Sequence, residues 1–320
     1  MPRRPQFTAY DVSSGGTGPY SLATGPGPGG GALWFTYAGD GRIGRFVPGG
    51  GGLTSFALAP DSRPTVLTPG PDAALWCTLN GAGRIGRISG DGEVREYAPP
   101  TADSGPYGIA TGPDGALWFT EMTPGRIGRL TPEGEFTEFP LPVPGAFPSM
   151  LVAGADGRAL WCTLNQAHAV ARVALDGTVT THPLPTPGAA PVGIAVSPDG
   201  SVWCTEIAAG ALARLAPDGR VTEHPLPDRE TARPHAVTVA PDGTVWCTAW
   251  GTGRVCALAP DGTVLAYEQL PGEAPEPHGI TTGPDGAVWT ALGAGRAGTD
   301  RLNRPRPAPS RRAPASAPAL

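Results

Sequence analysis

The chain has 320 residues, among them 48 glycines, 40 prolines and five cysteines, and a formal net charge of −5. All 23 basic residues are arginine, which excludes Schiff-base chemistry through a lysine, and a mildly acidic body argues against a nucleic-acid partner. No stretch approaches the roughly 18 apolar residues of a membrane span. The opening MPRRPQFTAY also lacks a signal-peptide core, so a cytoplasmic chain with no membrane partner is expected.

From the N-terminus, Gln6 to Val12 (QFTAYDV) has the alternation of a strand. Tryptophan then returns at intervals of 42 or 43 residues: Trp34, Trp76, Trp118, Trp161, Trp203, Trp246 and Trp289. The third repeat is the clearest. PYGIAT (106–111) and ALWFTE (116–121) are strands separated by Gly112-Pro113-Asp114-Gly115. RIGRL (126–130) and EFTEFPL (135–141) follow, separated by Pro132-Glu133-Gly134, and such residues make turns. A unit of four short strands cannot bury its own apolar faces, whereas a closed ring of units can. The expectation is an all-β, seven-bladed β-propeller.

After Arg296 the last repeat reads AGTDRLNRPRP and supplies no fourth strand. The N-terminal strand resembles EFTEFPL and is expected to join the last blade, since an open blade leaves an unpaired sheet edge. One domain over 1–302 and a disordered Pro/Ala/Arg-rich tail over 303–320 are expected, with a monomer as the default for a closed ring. Cys77, Cys162, Cys204 and Cys247 each follow a repeat tryptophan. Equivalent positions in different blades stand apart, so they read as small buried residues and not as a disulfide framework.

Function must lie where the copies differ. The residue after the first-strand proline forms a ring of seven sites: Tyr20, Thr65, Tyr107, Ser149, Val192, His235 and His278. Two adjacent blades carry histidine, as ARPHAV and EPHGI, and two others carry tyrosine. His168, His182 and His224 fall at other repeat positions and read as surface residues. A second ring, four residues after each tryptophan, includes Trp250 and Gly293. Trp250, beside the histidines, suits a large and partly apolar ligand. One position earlier, Glu121 and Glu206 stand where other copies carry leucine or alanine, as rim hydrogen-bonding groups or ligand contacts.

Over the whole chain except the tail, GPYGIATGPDGALWFTEM, GRIGRL, EFPLP, ARPHAV and EPHGI resemble the virginiamycin B lyase (streptogramin B lyase) family. The resemblance implies opening of a small cyclic depsipeptide antibiotic at its ester bond by β-elimination, and hence antibiotic resistance. It implies a magnesium ion (Mg2+) as electrophile. His278 matches the base, Glu276 a magnesium ligand and His235 a substrate contact, with Trp250, Tyr20 and Tyr107 completing the binding surface. The family's second carboxylate position falls on Gly293, which has no side chain to ligate, leaving Glu273 or Asp300 as replacements.

Two other readings stand beside this one. A catalytically silent propeller would bind a peptide or protein at the same rim, and Gly293 supports it. A metal-dependent lactonase or esterase needs several converging carboxylates, which the first-strand ring lacks.

Overall fold

The computed structural model describes residues 6–13, 18–27, 31–50, 52–294 and 301–306. Six repeats each fold into four successive antiparallel strands, covering residues 22–57, 64–97, 106–140, 148–183, 191–225 and 234–269. The expectation of seven blades is corrected by the seventh sheet. There the last repeat contributes only Pro275–Thr282, Val288–Ala294 and Arg301–Arg306, and Gln6–Asp11 pairs as the outermost strand. The propeller is six self-contained blades and one composite sheet. The physical reason is local: beyond Arg296 the text has neither the repeat's turn residues nor a fourth alternating segment. The last strand also passes the expected boundary at 302, and residues 307–320 lie outside the described residues.

The core lies between neighbouring blades. Trp34, Trp76, Trp118, Trp203 and Trp289 are each no more than 1% exposed. Trp118 packs with Leu151, Leu160 and Cys162 of the next blade, and Trp34 with Leu67, Leu75 and Cys77. The indole N–H groups of Trp76, Trp118 and Trp289 donate to Asp72, Asp114 and Asp285 of the preceding turn at 2.9–3.0 Å. The Pro-Asp turn thus fixes the tryptophan as well as the chain reversal. The N-terminal strand bridges the ends of the ring: Tyr10 packs at 5.4 Å from Trp289 and 5.2 Å from Phe46 of the first blade. Tyr37 of that blade donates its hydroxyl to the Val12 carbonyl.

In the six complete blades a threonine two residues beyond the repeat tryptophan ties neighbouring blades at the channel, whereas the last repeat carries Thr290 directly after Trp289. Thr36, Thr78, Thr120, Thr163, Thr205, Thr248 and Thr290 are all 1% exposed or less. In the six complete blades its Oγ1 accepts a backbone N–H from its own blade's first strand or the residue just before it, for example Gly193 N–H to Thr205 at 2.8 Å. The same hydroxyl donates to the ring residue's carbonyl in the next blade: Thr205 to His235 at 2.9 Å and Thr248 to His278 at 3.1 Å. In the composite sheet Thr290 instead reaches Gly279 of its own sheet, at 3.0 Å.

Valine in place of Thr248 keeps the shape but strips the Ala236 amide and the His278 carbonyl of their partner. An unmade buried hydrogen bond costs about 1–3 kcal/mol. Thr248→Val should therefore lose about that much in urea unfolding; a change inside about 0.5 kcal/mol would show that the latch does not hold the blades.

Candidate functional site

The first strands do not enter the sheet smoothly. Pairing slips between Pro106 and Ile109, between Pro234 and Val237, and between Pro277 and Ile280. Such bulges re-aim side chains, and Tyr107, His235 and His278 sit within them. The His278 backbone is held from both sides. Its carbonyl accepts from Thr248, and the next amide, Gly279 N–H, donates to the Tyr20 carbonyl at 2.8 Å.

The ring residues singled out in the sequence converge. The His235 and His278 rings lie 5.6 Å apart and nearly perpendicular. Tyr20 packs on both, at 4.9 Å from His278 and 5.9 Å from His235. Trp250, on a short 3₁₀ turn Trp250–Thr252, lies 6.3 Å from His278 at a shallow 31°. The Tyr20 and Tyr107 hydroxyls hydrogen-bond at 2.6 Å, so Tyr107 joins the cluster through Tyr20.

The electrostatics follow from burial. Burial, with His235 beside it, pushes His278 down to about 4. Burial likewise depresses His235, and a hydrogen bond to the His278 backbone opposes that shift. Both imidazoles are thus neutral at pH 7. Burial raises both Tyr20 and Tyr107, so their hydroxyls keep their protons. His235 Nδ1, His278 Nδ1 and Trp250 Nε1 are buried with no hydrogen-bond partner. Buried polar atoms are rarely left so, and three in one place mark a surface built to be completed by a ligand.

Glu276 and Gly293 face each other across the composite sheet. A Cβ added at Gly293 would lie 3.2 Å from His278 Nε2 and 3.5 Å from Glu276 Oε2, so position 293 borders both. Among the described residues no three His, Cys, Asp or Glu side chains cluster as a metal site. Glu273 is exposed on the preceding loop, and Asp300 lies outside the described residues. Glu276 is the carboxylate that borders this corner among the described residues, so a magnesium ion here would be held by it and by water.

Glu121 and Glu206 are not rim contacts. Both are fully buried, and each meets a fourth-strand carboxylate, Glu138 or Glu223. Those partners are anchored in turn: Glu138 accepts from the Thr101 amide and hydroxyl at 3.0 and 2.6 Å, and Glu223 from those of Thr186 at 2.7 Å each. His182 and His224 pack on Trp161 and Trp203 at 5.5 and 5.4 Å, and His168 accepts from the Ala190 amide, all away from the cluster. The residues missed from sequence were Thr205 and Thr248. Their signal was visible as a threonine two residues after the tryptophan in six of the seven repeats.

The profile of the virginiamycin B lyase family matches residues 5–299. Among solved structures, a streptogramin B lyase is 35% identical, with a TM-score of 0.85 and coverage of 94% of this chain and 97% of that one. Virginiamycin B lyase from Staphylococcus aureus, substituted with selenomethionine, is 34% identical (TM-score 0.86, coverage 94% and 99%). A catalytically inactive histidine-to-alanine variant of that enzyme with quinupristin is 33% identical (TM-score 0.86, coverage 94% and 99%). No curated protein gives a significant match.

The acid pairs set a pH dependence. Burial, reinforced by the neighbouring Glu138 and Glu223 charges, pushes Glu121 and Glu206 up to about 8. The unfolded chain releases these protons near the ordinary value of 4.5, while the fold keeps them until about 8. Stability from this source is therefore complete below 4.5 and drains away as pH rises toward 8. The double variant Glu121→Gln, Glu206→Gln should flatten that decline and melt at least about 2 °C higher than the parent at pH 8.5. Parallel melting curves from pH 5 to 8.5 would contradict the assignment.

Proposed function

The chain belongs to the virginiamycin B lyase family, and from that premise we propose that it opens streptogramin B-type cyclic depsipeptides at the ester bond by β-elimination. The observation that carries this reading is the neutral His278 imidazole, with His235, Tyr20 and Trp250 packed around it and buried nitrogens without partners. The inactivity of a relative that has lost one histidine supports a histidine base.

In this mechanism His278 removes the α-proton of the residue whose β-oxygen carries the ester. The C–H electron pair becomes the new α,β double bond, and the β carbon–oxygen pair departs with the carboxylate. A free imidazole is the form required of a general base. Negative charge grows on the neighbouring carbonyl oxygen as the proton leaves. Tyr20 and Tyr107, linked through their hydroxyls, remain protonated and are the donors available to it. His235 contributes a second neutral donor and acceptor, and the Trp250 face takes an apolar part of the ring. Glu276 is the residue that would hold a magnesium ion, which when bound would supply further positive charge to the growing oxyanion.

Mass spectrometry of a streptogramin B incubated with the protein, with magnesium and then with EDTA, tests the reaction. Elimination yields an opened ring of unchanged mass, whereas hydrolysis adds a water. Intact antibiotic that nevertheless binds would overturn the lyase reading in favour of a silent binding propeller. His278→Ala should cut turnover by at least about 10²-fold, the scale of a general base, with an unchanged circular dichroism spectrum. Retained turnover would remove His278 from the role of base.

Gly293→Glu should bring a second carboxylate against Glu276 and raise magnesium affinity in calorimetry by at least tenfold, about 1.4 kcal/mol. An unchanged affinity would show that this corner does not bind a divalent ion.

A further inference from the structure

In the first five blades the residue after the repeat tryptophan faces a fixed partner on the third strand, and the pair obeys a rule of volume. Phe35 and Phe119 face Gly44 and Gly128; Cys77 faces Gly86; Cys162 and Cys204 face Ala171 and Ala213. At Gly128 an added Cβ would come within 2.1 Å of the Phe119 ring, so the large member excludes any side chain opposite. The sixth blade departs from this pattern. Cys247 faces Cys256, and both are fully buried. The second thiol is more than packing asks for, since alanine fills the equivalent place in two neighbouring blades.

We propose that Cys247 and Cys256 are a redox-active pair whose two-electron oxidation closes a cross-strand disulfide in the hairpin that carries Trp250. Directly opposed residues of an antiparallel pair have Cα atoms about 4.5 or 5.5 Å apart, and both values fall within the roughly 4.4–6.8 Å that a disulfide spans. The repeat supplies a second measure. In the equivalent pair of the second blade, a Cβ added at Gly86 would stand 3.0 Å from the Cys77 sulfur. A disulfide of about 2.04 Å places each sulfur about 3 Å from the partner's Cβ. The two strands, Val245–Ala249 and Arg254–Leu258, flank the turn Trp250–Thr252, so the bond would close the loop bearing the aromatic that packs against His278.

The oxidant is a small-molecule disulfide. One cysteine thiolate attacks a sulfur of that disulfide, forming a mixed disulfide and expelling one thiolate. The second cysteine attacks the protein sulfur of the mixed disulfide and expels the other. The two cysteines lose two protons and two electrons, and the reagent becomes two thiols. Because both sulfurs are buried, exchange proceeds through opening of the hairpin.

The test is to equilibrate the full chain with a series of reduced and oxidised glutathione ratios until the thiol count is constant, then alkylate in denaturant. The reduced protein exposes five thiols to the reagent. At the oxidising end three should react, the mass should fall by two hydrogens, and a peptide digest should join Cys247 to Cys256. Hydrogen exchange over residues 247–256 should slow, and reduction should restore it. Cys256→Ala, which carries the residue found at the equivalent positions 171 and 213, should fold normally and keep all its remaining thiols reactive. Five reactive thiols at every ratio, a bond between other cysteines, or the same thiol loss in Cys256→Ala would overturn the proposal.

Discussion

One hydroxyl per blade decides where the channel residues stand. In the six complete blades a threonine on the second strand fastens the backbone at the start of its own first strand and, through the same oxygen, the carbonyl of the ring residue one blade on. The bulge frees His235 and His278 from the sheet's alternation, and Thr205 and Thr248 then lock their backbones. The site is thus assembled between blades, and a side chain in one blade positions chemistry in the next. That coupling suits a closed ring, because a blade that drifted would carry its neighbour's site residue with it.

The second constraint is desolvation. Four polar ring residues from three complete blades and the composite sheet share one end of a channel with few charges of their own. Burial keeps the imidazoles neutral and the phenols protonated. The cluster is therefore stocked with free base and hydroxyl donors at the same pH. Glu276 is the charged exception, and Gly293 leaves open the space beside it. The same burial acts on Glu121 and Glu206 under the rim, where the partner is another carboxylate, and there it costs stability as pH rises.

Much of this was legible in the chain. The tryptophan period and the turn residues locate the strands, and counting from the first-strand proline places Tyr20, Tyr107, His235 and His278 in one ring. Their mutual contact follows because a ring of first strands has little room at its centre. Other features depend on pairing register, which a period alone does not contain. The bulges belong to that class. So does the burial of Glu121 and Glu206, whose partners Glu138 and Glu223 lie two strands away in the sheet. The blade count failed at the seventh repeat because that repeat supplies three strands of its sheet and is not a self-contained blade. The broken text after Arg296 marked the place, and Gln6–Asp11, expected there from its likeness to EFTEFPL, pairs with Arg301–Arg306.

The most direct test of the site as a whole is a crystal structure of the His278→Ala protein with an intact streptogramin B. The account requires the ester-bearing residue to present its α-carbon to the space vacated by the imidazole, with Trp250 against an apolar part of the ring and the Tyr20 hydroxyl toward the adjacent carbonyl. A ligand seated at the opposite end of the channel, or on the outer strands away from His235 and Trp250, would contradict it.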